Sequence, residues 1–190
     1  FYALIEFETR AQVTSVALAL FEQCAAQGWV LDGVVSQSLA QTRALWRLRE
    51  DISETLWHWQ PYKNDISVRV SKMSDFLAEV DQLVAARYPD FEIVWYGHIG
   101  DGNLHLNILK PEDLPQTEFF ERCGIVSLEI GELLARYGGS ISAEHGVGLL
   151  KKSLLPYSRS PVEIALMRSI KKTFDPKSIL NPGKVFDSLT

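Results

Sequence analysis

Trp95 to Lys110 reads WYGHIGDGNLHLNILK, and further along the chain Ser140 to Gly148 reads SISAEHGVG. The first stretch decides the fold. Two apolar runs with period-2 alternation flank Gly100-Asp101-Gly102-Asn103, residues that tolerate positive φ, and this pattern predicts a β-hairpin. In its second strand His105 and Asn107 share one face, while Leu104, Leu106 and Ile108 point the other way. If the hairpin closes symmetrically, His98 lies across from His105 and Tyr96 near Asn107. One face then packs on helices, and the other lines a site with two imidazoles, a phenol and an amide.

Two neutral imidazoles on adjacent strands suit a borderline divalent cation such as zinc or manganese, provided that a carboxylate joins them. Glu144 is the candidate third ligand, because SAEHG is a short segment of small residues able to present Glu144 and His145 at a strand end. The plainer alternative is that His98 and His105 form a satisfied cross-strand pair with no metal. Spacing alone leaves both open.

Outward from this centre, Phe1 to Glu8 and Trp29 to Ser36 read as strands on either side of a helix running from a Thr9 cap to about Gln27. A helix follows from Leu39 to about Trp57. Pro61 to Asp65 is a cluster of turn formers, and Ile66 to Val70 alternates as a third strand. Further helices are expected at Met73–Tyr88, at Thr117–Tyr137 ended by Gly138-Gly139, and at Pro161–Phe174. Ile179 to Phe186, with its Asn-Pro-Gly, forms a coil that must dock on something. The series predicts an α+β fold, a ferredoxin-like sandwich in which helices cover a mostly antiparallel sheet.

The 190 residues, 46% hydrophobic and 23% charged, describe an ordinary globular domain with a sizeable core. A net charge of −5 supplies no basic footprint for nucleic acid. No apolar run is long enough to span a membrane. Two cysteines, Cys24 and Cys123, sit in separate helical patterns and read as free thiols in a reducing, cytoplasmic setting, with peripheral membrane association left open. Lys151-Lys152 reads as solvent-facing, since GVGLLKKS does not match the phosphate loop GxxxxGK[ST]. GHIGDGN does not satisfy GxGxxG either, so no dinucleotide site is expected. Phe1 falls inside an apparent strand with nothing before it, which suggests a piece of a longer polypeptide.

GHIGDGNLHLN, SAEHGVG and the tail, Asp175-Pro176 followed by ILNPGK (Ile179 to Lys184), together resemble the C-terminal, substrate-binding domain of FAD-linked oxidases of the vanillyl-alcohol-oxidase type. That group includes D-lactate, glycolate and D-2-hydroxyglutarate dehydrogenases. The likeness runs from about Phe1 to Phe186, with the motifs in the family's order. It implies that residues 1–190 form this domain, that 175–190 dock toward the flavin, and that an N-terminal FAD-binding domain lies outside the chain.

The resemblance also implies roles. His98, His105 and Glu144 hold a divalent metal, His145 abstracts the substrate proton, and Asn107 helps to position substrate. Arg49, Ser53 and Lys63 bind substrate carboxylates, a task suited to a planar guanidinium and a second point charge. Serine stands at 53 where the hydroxyglutarate branch often has threonine, which argues against that substrate. Asn181 lies near the flavin in relatives, although a plain helix-terminating Asn-Pro needs no such role.

The implied reaction oxidises a D-2-hydroxyacid to a 2-oxoacid with hydride transfer to FAD, and the chain alone is expected to be inactive. Reduced flavin would pass electrons to a flavoprotein, a cytochrome or a quinone. Apolar surface left by an absent domain would favour artificial association, and a homodimer is left open. Two rival functions fit the same side chains. A metal-dependent hydrolase would use them to activate water without flavin, and a non-catalytic ferredoxin-like binding module would need no metal at all.

Overall fold

The computed structural model describes residues 1–8 and 12–187. The chain falls into two units, divided after His58.

The first unit contains three helices, α1 (Val13–Ala26), α2 (Leu39–Glu50) and α3 (Ile52–Trp57). Thr9, expected to cap α1, lies outside the described residues. The strands expected at Phe1–Glu8 and Trp29–Ser36 are absent, and both segments are coil. A strand must place its N–H and C=O groups on a neighbour. Neither run pairs with one, and Phe1, Ile5, Phe7, Trp29, Leu31, Val34 and Val35 stay exposed. The single helix expected from Leu39 to Trp57 is interrupted at Asp51, where ψ flattens to −5°. Hydrogen bonds from Asp51 N to Arg47 O and from Thr55 N to Asp51 O still bridge the break. The interruption is therefore a local kink. Ser38 caps α2 by accepting from the Gln41 amide, which satisfies one of the helix's orphan donors.

The second unit is α+β. Its sheet has three strands, β1 (Tyr62–Ser67), β2 (Ile93–His98) and β3 (Asn103–Ile108), in the order β1-β3-β2 with both pairings antiparallel. The hairpin forms where the alternation predicted it. The third strand does not: it starts at Tyr62 rather than Ile66, so the supposed turn cluster lies within it, and Val70 belongs to a 3-10 turn. Isolated turn propensity yields here to pairing with β3, in register from Tyr62 opposite Ile108 to Ser67 opposite Asn103.

Helices α4 (Met73–Arg87) and α5 (Gln116–Tyr137) cover one sheet face, and α6 (Pro161–Phe174) follows a 3-10 segment at Lys152–Tyr157. Leu104, Leu106 and Ile108 of β3 pack with Phe76, Val80 and Val84 of α4 and with Phe119, Val126, Ile130 and Leu134 of α5. Gly138 ends α5 in the left-handed conformation, φ 63°. Ser160 and Glu163 form a reciprocal capping box on α6, with Pro161 at its first turn. Among the described residues no helix is long and apolar enough to cross a membrane.

Replacing Leu106, which is fully buried at the centre of the sheet, by alanine leaves a cavity beneath both helices. It should cost about 2–5 kcal/mol in urea unfolding. Burial pushes the Cys123 thiol up to about 11. Iodoacetamide at pH 8 should therefore spare Cys123 in the folded chain and modify it once urea is added.

Candidate functional site

The face of the sheet opposite the helices carries the chemistry. β1 contributes Lys63, Asp65 and Ser67, β3 contributes Asn107, His105 and Asn103, and β2 contributes Val94, Tyr96 and His98, in register across the three strands. The symmetric pairing expected from the sequence is displaced by two residues. His98 faces Asn103, and Tyr96 faces His105. The turn explains the shift: the Asn103 amide donates to Asp101 Oδ1 at 3.0 Å, which holds Asn103 at the start of its strand and leaves Ile99 to Gly102 as the loop. Gly102 has φ 76°, and a Cβ there would fall 1.9 Å from the Val68 carbonyl oxygen, so only glycine fits. Tyr96 consequently stacks on His105 with ring centroids 4.8 Å apart, and His98 meets His105 diagonally and edge-on at 6.2 Å.

The SISAEHGVG segment reaches this face from the end of β1. Ser140 and Ser67 exchange two backbone hydrogen bonds, of 2.8 and 3.0 Å, and the Ala143 amide donates to the Asp65 carbonyl. Ser142 Oγ donates to the Gly146 carbonyl at 2.8 Å and closes the turn. The turn is then gripped from inside the sheet, because Asp65 Oδ2 accepts from the amides of Glu144, at 3.1 Å, and His145, at 3.0 Å. Lys151 Nζ lies 3.7 Å from the same oxygen and donates to the Asp65 carbonyl and to Ser142 Oγ. Lys151 is thus not the solvated residue that its doublet suggested, with only 16% of its side chain exposed.

Burial alone would raise the pKa of Asp65. The two amides and the positive charge of Lys151 outweigh it and hold the carboxyl below the ordinary aspartate range. Burial likewise lowers the pKa of Lys151, against the opposing pull of Asp65.

Around this anchor the predicted ligands come together. Glu144 Oε1 lies 3.3 Å from His98 Nδ1, and Glu144 Oε2 lies 4.0 Å from His105 Nε2. Asp101 Oδ2, which the sequence reading had not proposed, is 3.6 Å from His98 Nδ1. One ligand atom from each of His98, Asp101 and Glu144 falls within 4.8 Å of the others. A mixed nitrogen and oxygen donor set of this kind fits a divalent cation such as zinc or manganese, with His105 at its edge. His145 is mostly exposed; its Nδ1 is 3.6 Å from Asp65 Oδ2, and its ring lies 5.8 Å from that of His105.

The remaining predicted residues lie in varied settings. Lys63 is exposed on β1, paired in register with Asn107 of β3. Asn107 is fully buried: its amide nitrogen donates to the carbonyls of Val94 and His105, and its Oδ1 accepts no hydrogen bond among the described residues. Arg49 and Ser53 belong to the first unit, one on each side of the kink at Asp51. Asn181 is exposed with φ 46° in the tail.

That tail docks within the second unit. The Val185 amide donates to the Gly148 carbonyl at 2.8 Å, the last residue of SISAEHGVG. Buried Asp175 accepts from the amides of Ile179 and Leu180, and Lys152 pairs with Asp187. Residues 188–190, the end of the expected docking tail, lie outside the described residues.

Sequence reasoning missed Asp65, Asp101 and Lys151. A signal for Asp65 was present, since one β residue in two from Lys63 onward had to share the face of His105 once β1 was placed beside β3.

The family model for FAD linked oxidases, C-terminal domain, matches residues 1–185. A protein of Stutzerimonas stutzeri named D-2-hydroxyglutarate dehydrogenase is 60% identical over 98% of this chain and 40% of its own length. One of the same name from Xanthomonas citri is 53% identical over 99% of this chain and 40% of its own. A mitochondrial D-2-hydroxyglutarate dehydrogenase of Danio rerio is 40% identical over 86% of the chain and 30% of its own length. The chain thus spans about 40% of the length of its two bacterial relatives. A family match over nearly the whole chain, with these relatives aligned along it, means that the chain belongs to the C-terminal domain family of FAD-linked oxidases.

Proposed function

We propose that this chain is the substrate- and metal-binding part of an FAD-dependent dehydrogenase that oxidises a D-2-hydroxyacid to the 2-oxoacid. The observation that carries the reading is the meeting of Glu144 and His145, from one segment, with His98 and His105, from another, on one polar sheet face. Family membership supplies the cofactor class and favours this reading over a flavin-free hydrolase or a non-catalytic module.

Within it, His98, His105 and Glu144 hold the cation, with Asp101 as a further donor. The chemistry a bound divalent cation supplies is Lewis-acid polarisation of a substrate oxygen, and that of FAD is acceptance of a hydride equivalent. His145 takes the hydroxyl proton. Its exposure leaves it reachable by substrate, and its attachment through the backbone to Asp65 fixes its place beside the ligands. Asn107 contributes a buried amide oxygen that accepts no hydrogen bond among the described residues, one able to fix the orientation of a neighbouring group.

Arg49, Ser53 and Lys63 bind carboxylates. The names of the bacterial relatives support D-2-hydroxyglutarate, a dicarboxylate, over the expectation drawn from Ser53. Serine keeps the hydroxyl that threonine would offer, and loses only a methyl group. Asn181 contacts the flavin, which is held mainly by an N-terminal domain of the same polypeptide. Electrons then leave for a flavoprotein, cytochrome or quinone acceptor.

Two measurements test this. In the full-length parent assayed with D-2-hydroxyglutarate and an artificial dye, His145→Ala should lower kcat by about 10²–10⁴; unchanged turnover would remove His145 as the base. In titrations of the chain with zinc, Glu144→Gln and His98→Ala should each weaken binding by roughly tenfold or more. Equal affinity in both variants and the parent would place the cation elsewhere, and hydrolytic activity of the chain without flavin would favour the hydrolase.

A further inference from the structure

One buried carboxylate faces two histidines by the same ring nitrogen. Asp65 Oδ1 lies 3.7 Å from His105 Nδ1, and Asp65 Oδ2 lies 3.6 Å from His145 Nδ1. The two oxygens are not equivalent. Oδ2 already accepts from the amides of Glu144 and His145, whereas Oδ1 is buried and accepts no hydrogen bond among the described residues. A buried carboxylate oxygen without a donor is costly, and a lone pair on Nδ1 directed at it would add repulsion.

We propose that Asp65 is a positioning residue that sets the tautomer of both histidines, drawing the proton to Nδ1 of His105 and of His145 so that each ring presents an unprotonated Nε2. For His105 that nitrogen is the one turned toward Glu144, at 4.0 Å from Oε2; Glu144 is farther away and half exposed, so its pull on the proton is screened by water and the buried Asp65 prevails. For His145 it is the nitrogen left to accept a proton from substrate. His98 differs, because its Nδ1 is the atom directed at Glu144 and Asp101. A carboxylate behind a metal-ligating imidazole fixes ring and tautomer in just this manner. Asp65 thereby performs two tasks from one position on β1. Its backbone-facing oxygen holds the Glu144-His145 turn against the sheet, and its two oxygens together decide which nitrogen of each ring is available. The geometry stands on its own, and only the functional consequence rests on the reading of the site as a hydroxyacid dehydrogenase.

Asp65→Asn separates these tasks. The amide oxygen must stay on the two backbone N–H groups, so the NH₂ group takes the place of Oδ1 and points at His105 Nδ1. His105 should then switch to the Nε2–H form, while His145, still facing an oxygen, keeps its proton on Nδ1.

The test is long-range ¹H–¹⁵N correlation spectroscopy of the chain labelled with ¹⁵N-histidine, which holds only four histidines, recorded at alkaline pH with neutral rings. The expected result is Nδ1–H at His105 and His145 in the parent, and a switch confined to His105 in Asp65→Asn. Zinc affinity should fall in that variant by about ten- to a hundredfold. Nε2–H at either ring in the parent, or no change at His105 in a folded variant, overturns the proposal. Should Asp65→Asn fail to fold, the parent spectrum alone decides. The expected tautomers without hydroxyacid turnover in the full-length protein would sink the dehydrogenase reading and leave Asp65 in place; turnover with the opposite tautomers would do the reverse.

Discussion

The Oδ2 atom of Asp65 accepts hydrogen bonds from two consecutive amides, those of Glu144 and His145, at the inner end of a segment distant in sequence. Everything chemical in the second unit is arranged around that attachment. Without it, the turn would still meet β1 through the Ser67–Ser140 bridge, the Ala143 amide and the Lys151 ammonium that joins the Asp65 carbonyl to Ser142 Oγ, but none of these holds the amides that carry its carboxylate and imidazole. A charged acceptor is suited to the task, because hydrogen bonds to an ionised group are stronger than neutral ones. Lys151 supplies the compensating charge that lets a carboxylate sit 2% exposed.

The apolar side of the same sheet makes this possible. Leu104, Leu106 and Ile108 are committed to α4 and α5, and since a strand alternates, their neighbours Asn103, His105 and Asn107 are forced onto the opposite face. A slip of one residue would put imidazole into the helix core and leucine into the site. Core and site therefore specify each other. The tail joins the same construction: Val185 bonds to Gly148, and Asp175 gathers the amides of Ile179 and Leu180. Asp175 and Asp65 repeat one device, a buried carboxylate holding two consecutive amides with a lysine beside it.

How much of this was legible varied with the length scale of the signal. The hairpin, the helices α4, α5 and α6, and the shared face of His105 and Asn107 were readable, because period and caps are local. The strand register was not, since it turns on whether Asn103 belongs to the loop or the strand, and an Asp101 side-chain hydrogen bond decides that. Asp65 was hidden by its own composition. Asn64-Asp65 after Pro61 has every mark of a turn, and only pairing with β3 makes it strand. Phe1–Glu8 and Trp29–Ser36 failed in the opposite sense, since alternation suited a strand but no partner stood beside either run. Lys151 was invisible for a third reason, since its importance lies in a contact with Asp65 far along the chain, and Asp101 joins Glu144 only once the SISAEHGVG segment has landed beside the hairpin turn.

The candidate ligand set itself, His98, His105 and Glu144, came from residue type and motif, and the structure adds Asp101 beside it. Together these side chains are proposed to form a cation site at the edge of the sheet. Anomalous X-ray diffraction at the zinc absorption edge, from crystals of the full-length protein grown with zinc, addresses it directly. One dominant anomalous peak is expected within bonding distance of His98, His105 and Glu144. A peak held by other residues, with these side chains unligated, would contradict it.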